Sequence, residues 1–269
     1  IETMTPLRVE VRINKKDNSL RWVSISSTPK ILDDGLLYWD GVEFDITDIK
    51  TSEQRIKEAL SEKEALLREL YHRTKNNMNV IISFLKLQSN RIDDKKTVEI
   101  LNDAILRIYA MSLVHQKLYS SKNLSKIILK DYIEELVKQI SFYFNVISGK
   151  VKTVYDIDDV EVVIDVAIPL GMVINEMITN SLKYAFNNMD SGIISIKIKK
   201  ETDENIIIEI SDNGVGLAHD FDIKNSNTLG LSIIFNIIES QLNGTISYKN
   251  ENGLKYTIQI NSNVYSERV

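Results

Sequence analysis

Residues 206–216 read Ile-Ile-Ile-Glu-Ile-Ser-Asp-Asn-Gly-Val-Gly. The apolar, β-branched residues predict a strand over residues 206–211 that ends in a turn with two glycines. Asp212 leaves the strand into this turn, where its carboxylate can accept a hydrogen bond from the amine of a base. Gly214 and Gly216 allow a ligand to approach the backbone closely. Taken alone, the segment is also consistent with an ordinary turn.

A cluster of polar residues lies in a long, mostly apolar helix predicted at about residues 167–186. Glu176, Asn180 and Lys183 are spaced so that a carboxylate, an amide and an ammonium group project from one face. Mg²⁺ and a phosphate chain need oxygen ligands and a cation of this kind. A solvated helix face with a stabilising pair of side chains is the alternative interpretation.

A third signal is the segment Thr228-Leu229-Gly230-Leu231, which precedes an apolar helix at about residues 231–242. A glycine at a helix start exposes backbone N–H groups at the positive end of the helix dipole, where a phosphate binds well. An ordinary helix start is the alternative. If a ligand binds here, the polar loop between Gly216 and Gly230 is a candidate lid.

Together these segments resemble the N, G1 and G2 boxes of the ATP-binding domain shared by histidine kinases, DNA gyrase and related ATPases. The resemblance covers about residues 122–262 and rests on three motifs in this order: Glu176-x-x-x-Asn180, Asp212-x-Gly214-x-Gly216 and Gly230-Leu231.

The resemblance implies ATP and Mg²⁺ as cofactors and gives each motif a role. It implies that Asp212 reads the adenine amino group and that Asn180 holds Mg²⁺. It also implies that the glycine turn at Gly230 and Leu231 contacts the phosphates. It further implies that Lys183 lines the phosphate side of the nucleotide and that Tyr184 lines the adenine side.

A long helix is predicted upstream, because residues 48–89 contain neither Gly nor Pro and place apolar residues at several a and d positions of one heptad frame, which Lys63, Thr74 and Asn77 interrupt. A polar turn at 90–96 separates it from a second helix, which predicts an antiparallel hairpin. Two amphipathic helices cannot close a core alone, so we expect a homodimer through residues 50–120. Four residues should lie inside the resulting four-helix bundle: Ile81, Leu85, Ile105 and Ile108.

Residues 69–88 read Glu-Leu-Tyr-His-Arg-Thr-Lys-Asn-Asn-Met-Asn-Val-Ile-Ile-Ser-Phe-Leu-Lys-Leu-Gln. They resemble the phosphoacceptor helix of variant sensor histidine kinases with the signature His-Arg-x-Lys-Asn-Asn, and residues 107–119 are similar to the second helix of that family. The family usually has two adjacent histidines, and Tyr71 replaces the first here. The resemblance implies that His72 is phosphorylated from ATP and passes the group to an aspartate of a response regulator receiver domain.

The heptad frame agrees with an accessible His72, because it places this residue at an f position, away from the seam between the helices. An imidazole is largely neutral at cytosolic pH and can attack a γ-phosphate. Arg73 stands where better-known histidine kinases have an acidic residue, so the general base is open between Glu176 and Glu69. We expect the two other histidines to play no catalytic part: His115 to pack between helices and His219 to lie on the surface.

At the start of the chain, residues 7–46 alternate as about three antiparallel strands. Trp39-Asp40-Gly41 and the following residues 45–48 resemble the end of a PAS sensor domain. The expected fold is therefore multidomain, with a partial antiparallel β PAS fragment, a helical hairpin, and an α+β sandwich with helices on one face of a mixed sheet. The expected boundaries are 1–48, 49–121 and 122–262, followed by a tail at 263–269.

The composition excludes several other classes. With 33 basic and 38 acidic residues, the net charge of −5 gives no drive toward nucleic acid. The absence of cysteine removes thiol catalysis, cysteine-type zinc sites and disulfides. No apolar run approaches the roughly 20 residues of a membrane-spanning helix. We expect a cytoplasmic protein without a membrane segment.

Two other functions remain open beside a sensor histidine kinase. A signalling scaffold that binds nucleotide and a regulator without phosphotransfer is favoured by Arg73 beside His72. A gyrase-like hydrolytic ATPase would use the same nucleotide site.

Overall fold

The computed structural model describes residues 5–14, 19–120, 126–144, 150–187, 189–202, 205–218, 221, 223 and 228–261. The chain divides into two compact units, Ile1–Leu66 and Leu67–Val269. The predicted tail at 263–269 and His219 lie outside the described residues. Among the described helices, none combines the length and the apolar character needed to cross a membrane.

The first unit contains an antiparallel meander of three strands, β1 (Leu7–Asn14), β2 (Leu20–Ile31) and β3 (Leu37–Asp45). The backbone N–H of Trp22 donates to Thr47 Oγ1 at 2.9 Å, which ties the beginning of the following helix to the sheet. Every residue of β3 is exposed. The predicted three-stranded antiparallel sheet is confirmed.

Helix α1 (Thr47–Ser89, 43 residues) and helix α2 (Lys95–Ser120, 26 residues) form the predicted hairpin. In the second unit they are antiparallel, because Arg68 donates to the Tyr119 carbonyl at 2.9 Å, whereas Tyr71, further along α1, lies against His115, which is earlier on α2. Asp94 Oδ2 accepts the backbone N–H of Thr97 at 2.8 Å and so caps α2. The two helices differ in burial, since α1 carries one buried residue and α2 carries seven: Ile105, Leu106, Ala110, Ser112, Leu113, Val114 and Leu118.

This burial changes the interpretation of the predicted bundle positions. Ile105 is already buried within a single chain, whereas Ile81 is exposed, and Leu85 and Ile108 are half-buried. The burial of Ile105 therefore requires no second chain.

The remainder of the second unit is an α+β sandwich. Its elements, in chain order, are β4 (Lys126–Ile128), α3 (Leu129–Tyr143), β5 (Val151–Ile157), β6 (Glu161–Val163), α4 (Ile164–Asn180), β7 (Gly192–Lys200), β8 (Asn205–Asp212), α5 (Leu229–Asn236), β9 (Thr245–Asn250) and β10 (Leu254–Asn261). A π-helical turn continues α4 over Ser181–Ala185, and another continues α5 over Ile237–Gln241.

Five strands form a mixed sheet in the order β5-β7-β8-β10-β9, with β5 parallel to β7 and the other pairs antiparallel. Alternate residues of β8 are buried, as strand geometry requires of a sheet with one covered face: Ile206, Ile208, Ile210 and Asp212. These isoleucines share one apolar core with buried residues of α3, α4 and α5. The predicted mixed sheet with helices on one face is confirmed, and it places the ends of β8 and α4 at one edge of the domain.

Candidate active site

A cavity of about 450 Å³ lies between α2, α4, the start of α5 and the strands β8 and β10. This volume lies within the range of small-molecule sites in proteins. Eight of the site residues predicted from the sequence line it: Glu176, Asn180, Lys183, Tyr184, Asp212, Gly216, Gly230 and Leu231. His72 and Gly214 are not among its lining residues.

Asp212 is the last residue of β8, is 9% exposed and has a carboxylate fixed by three donors. Its Oδ1 accepts the backbone N–H of Gly214 at 3.0 Å and of Leu254 at 3.3 Å. Its Oδ2 accepts the hydroxyl of Ser181 at 2.8 Å. An ionised carboxylate has about four acceptor positions, so one is left for a donor on a ligand.

The glycine turn after Asp212 depends on two close approaches. Gly216 has a φ of +68°, in the left-handed region, and a Cβ there would collide with the Asn250 side chain. Asn250 holds the turn by accepting the Leu217 N–H at 2.8 Å and donating to the Leu217 carbonyl at 3.0 Å. A Cβ on Gly214 would collide with the carbonyl of Ala185, so this glycine lets the turn pack on the end of the α4 region.

Glu176 and Lys183 project from α4 and the turn that continues it, and both contact α2. Arg107 donates to Glu176 through Nε at 2.7 Å and through a terminal nitrogen at 3.1 Å, a two-point ion pair. The side chains are 17% and 6% exposed. The hydrogen bond to Glu176 raises the pKa of Arg107 above its ordinary value. Arg107 is therefore held in its charged form against Glu176.

Lys183 donates to Glu99 at 2.8 Å and to the two carboxylate oxygens of Asp103 at 2.8 and 3.0 Å. Burial alone would favour its neutral form, but the hydrogen bonds to Asp103 and Glu99 together outweigh burial and raise the pKa of Lys183. Its ammonium group is therefore held by α2 in this structure. Tyr184, one residue further, is 60% exposed.

The start of α5 lies against Glu176. A Cβ added to Gly230 would lie 2.7 Å from Glu176 Oε2, so the first turn of α5 passes close to this carboxylate. The first N–H groups of an α-helix have no partner within the helix, and Leu229, Gly230 and Leu231 line the cavity. The start of α5 therefore presents donors to the cavity. Of the candidate lid between Gly216 and Gly230, only residues 217, 218, 221, 223 and 228–229 are described.

His72 lies on the exposed side of α1, outside the cavity. Its ring centroid is 5.7 Å from that of Tyr119, and its Nδ1 is 3.4 Å from Asn76 Nδ2. Tyr119 follows Arg107 by twelve residues on α2, which is about 18 Å along the helix axis. The structure therefore does not bring His72 to Glu176, although it does bring the eight cavity residues together.

Both carboxylates considered as bases for His72 have arginine partners. Glu69, one turn before His72, accepts Arg73 Nε at 2.6 Å, and Glu176 is held by Arg107. His115 is half-buried, with its ring centroid 5.8 Å from that of Tyr71, and burial lowers its pKa. This position agrees with a packing role, but within the described residues the buried Nδ1 of His115 has no hydrogen-bond partner, so the hydrogen bond expected for this packing is not seen at that atom.

Sequence reasoning missed three residues that complete the site: Asp103, Arg107 and Ser181. One signal for Arg107 was present in the sequence, because a charged residue lies there directly after the apolar residues Ile105 and Leu106. Such a residue becomes buried only with a partner. No comparable pattern marks Ser181, whose place beside Asp212 depends on the packing of the turn after α4 against β8.

Two family models match the chain and together cover more than half of it. The model described as histidine kinase, HisKA_2, matches residues 69–143. The model described as histidine kinase-, DNA gyrase B-, and HSP90-like ATPase, HATPase_c, matches residues 165–263.

Curated relatives carry the same designation. The sensor histidine kinase PdtaS of Mycolicibacterium smegmatis is 27% identical over 245 residues, which are 89% of this chain and 46% of the relative. PdtaS of Mycobacterium tuberculosis is 28% identical over 76% of this chain and 40% of the relative. Blue-light-activated histidine kinase 2 of Erythrobacter litoralis is 25% identical over 77% of this chain and 58% of the relative. The chain thus spans about half the length of these relatives.

A solved structure shares the fold. The histidine kinase domain of the Erythrobacter litoralis EL346 blue-light activated histidine kinase superposes with a TM-score of 0.54 at 24% identity, covering 74% of this chain and 95% of that domain. The two matched regions show that the chain belongs to the histidine kinases of the HisKA_2 type.

Proposed function

We propose that this chain transfers the γ-phosphoryl group of Mg-ATP to His72 and passes it on to an aspartate of a response regulator receiver domain. One observation carries the proposal: the Asp212 carboxylate, the polar face of α4 and the first turn of α5 converge on one cavity. The same chain carries an exposed histidine within the HisKA_2 match. A nucleotide site and a phosphate acceptor are thus both present.

The geometry supports a role for each group around the nucleotide. The free acceptor position of Asp212 suits the amino group of adenine. The first turn of α5 offers N–H donors to the phosphates. Lys183 supplies a cation on the phosphate side once it leaves its carboxylate partners, and Tyr184 lies on the adenine side.

The cavity also fits Mg²⁺ bound together with ATP. Among the described residues there is no group of three or more His, Asp or Glu side chains that could hold a metal ion. Mg²⁺ at a nucleotide site takes most of its ligands from phosphates and water, so a single protein oxygen is sufficient. Asn180 offers that oxygen from the cavity wall. When bound, the ion neutralises charge on the phosphate chain.

In the proposed reaction a neutral ring nitrogen of His72 attacks the γ-phosphorus. A P–N bond forms, the bond to the bridging oxygen breaks, and ADP leaves with that electron pair. The imidazole proton must then pass to a base. Glu69 lies one turn before His72 on α1 and is the nearer candidate once it leaves Arg73, whereas Glu176 can act only after the hairpin and α4 move relative to each other. The receiver aspartate subsequently takes the phosphoryl group from nitrogen.

The domain organisation is part of the proposal. Residues 1–48 would be the C-terminal part of a PAS sensor domain, 49–121 the phosphotransfer hairpin, and 122–262 the ATP-binding domain. The exposed sheet of the first unit supports the first assignment, because such a sheet needs a partner layer. We also propose that residues 50–120 form the homodimer contact.

Incubation with γ-labelled ATP and Mg²⁺ tests the proposal. We expect label on the protein that is stable to alkali and labile to acid, lost in His72→Gln and retained in His115→Gln. Label that persists in His72→Gln and disappears in His115→Gln would show that the acceptor is wrongly assigned. Addition of a receiver domain should remove the label from the kinase and place it on the receiver.

The two alternatives give different results in the same experiment. A nucleotide-binding scaffold, favoured by Arg73 beside His72, would bind ATP with neither label nor turnover. A hydrolytic ATPase would release phosphate without labelling the protein.

A further inference from the structure

Three ion pairs join α2 to the polar face of α4 and its continuation, one with the cation on α2 and two with the anion on α2. Arg107 of α2 contributes the cation to the pair with Glu176. Glu99 and Asp103 of α2 contribute the anions to the pairs with Lys183. Because each helix supplies both signs, the contact fixes the register of α2 on α4 as well as its position.

These contacts involve residues that line the proposed nucleotide site. Glu176 and Lys183 line the cavity, and so do Asp103 and Arg107. The carboxylates of Asp103 and Glu99 surround the Lys183 ammonium as phosphate oxygens would. For Lys183 to bind a phosphate, it must leave these two carboxylates, since three donors on one ammonium cannot serve both sets fully.

The same arrangement keeps His72 away from the cavity. His72 contacts Tyr119, about 18 Å along α2 from the residue that touches Glu176. Reacting atoms must approach to about 3–3.5 Å. The first turn of α5, next to Glu176, lies at the other end of this interval. Phosphotransfer within one chain therefore requires α2 to leave α4 or to slide along it.

The interface between α2 and α4 contains polar groups whose burial is costly, which favours a contact that can open. In the described part of the chain, Asn175 Oδ1 and Thr179 Oγ1 are buried without a hydrogen-bond partner. Asn175, Thr179 and Lys183 recur every four residues, so they lie on the side of the helix that faces α2. Unpartnered polar groups gain hydrogen bonds with water when they are exposed. The attraction within a buried ion pair is also largely offset by the loss of hydration.

We propose that Glu99, Asp103 and Arg107 form a latch that holds the phosphotransfer hairpin on the nucleotide site, and that the phosphates of Mg-ATP compete with the carboxylates of this latch for Lys183. The proposal rests on the nucleotide site proposed above. ATP binding then releases α2, frees the Glu176 carboxylate and allows His72 to move toward the γ-phosphate. By linkage, the α2 contact weakens ATP binding by the same factor by which bound ATP weakens the α2 contact.

The acidic half of the latch is the half to test, because removal of Arg107 would leave Glu176 buried without a partner and endanger folding. The variants are Glu99→Gln, whose side chain is 54% exposed, and the double change Glu99→Gln with Asp103→Asn. The chain offers a matched control, because Lys199 lies between Asp156 at 2.6 Å and Asp158 at 2.8 Å and none of the three lines the cavity. The control variant is Asp156→Asn with Asp158→Asn.

Calorimetry with Mg-ATP measures the competition. We expect the double variant to bind Mg-ATP at least about 5-fold more tightly than the wild type, the lower end of usual coupling between sites. Glu99→Gln should give a smaller gain, and the control no change. In hydrogen exchange, Mg-ATP should increase exchange in α2 of the wild type, while the double variant should exchange fast without nucleotide.

Unchanged or weaker binding by the folded double variant would overturn the latch, and so would equal gains in the control. In either case, labelling of His72 in the wild type would leave the proposed kinase function standing. A wild type that binds no ATP would overturn both proposals.

Discussion

The change of Asp212 to Asn tests the adenine-reading role with little disturbance of the fold. Asp212 Oδ1 accepts two backbone N–H groups, from Gly214 and Leu254. In the variant, the amide oxygen must keep that place, because an NH₂ group cannot accept them. The NH₂ group therefore takes the place of Oδ2, where it donates to the Ser181 hydroxyl oxygen. All three local hydrogen bonds survive.

The expected effect falls on the ligand. The remaining acceptor position of Oδ2 becomes a donor, so the adenine amino group meets another N–H group. The loss of a hydrogen bond to a charged acceptor, with a donor left unpaired, costs about 1–3 kcal/mol. This corresponds to about 5- to 150-fold weaker ATP binding. The free energy of unfolding should change by no more than the value of one hydrogen bond, roughly 1 kcal/mol.

Calorimetry with ATP and with inosine triphosphate measures this effect. Inosine triphosphate carries a carbonyl oxygen where ATP carries the amine, so the wild type should prefer ATP and Asp212→Asn should lose or reverse that preference. Thermal denaturation checks that the variant is folded. Wild-type ATP affinity in the variant would refute the role of Asp212, and so would an equal loss of affinity for both nucleotides.

Three further predictions concern the metal, the glycine turn and the oligomer. Asn180→Ala should weaken ATP binding in the presence of Mg²⁺ more than in excess chelator, and equal losses in the two titrations would contradict a metal-binding role. Gly214→Ala should lower both the melting temperature and the ATP affinity, because the new Cβ collides with the Ala185 carbonyl. Overpacking of this kind typically costs about 1–3 kcal/mol. An unchanged melting temperature would show that the turn can move. Light scattering at micromolar concentration should give about twice the 30.8 kDa of one chain. The reason is that α1 exposes four apolar residues that a second chain would bury, Val80, Ile81, Phe84 and Leu87. A mass near that of one chain would exclude the dimer.

Local patterns sufficed for most of the fold. The strand predicted at 206–211 is the centre of β8 (Asn205–Asp212), and the helix predicted at 167–186 corresponds to α4 with its continuing turn. Both segments are strongly apolar and their period matches one structure, so little else could form there. The three motifs could be predicted because Asp212 follows an apolar strand, Glu176 and Asn180 interrupt an apolar helix, and Gly230 stands at the start of another.

The contacts between α2 and the ATP-binding domain were beyond local patterns. Periodicity shows that one side of a helix must be covered, but it does not show by what. The sequence favoured a second chain as the cover of Ile105, whereas the structure buries this residue within one chain.

The same limit explains why Arg107 and Asp103 escaped prediction. A charged residue on an amphipathic helix is usually solvated, and only the position of a distant partner makes it part of a site. Glu176 follows Arg107 by 69 residues in the chain. The pairing arises only when the hairpin packs on α4, so the residues of the proposed latch lie on a helix outside the three motifs. A contact of this kind joins two matched regions, and it can be altered by substitution on α2 without changing any of the three nucleotide motifs.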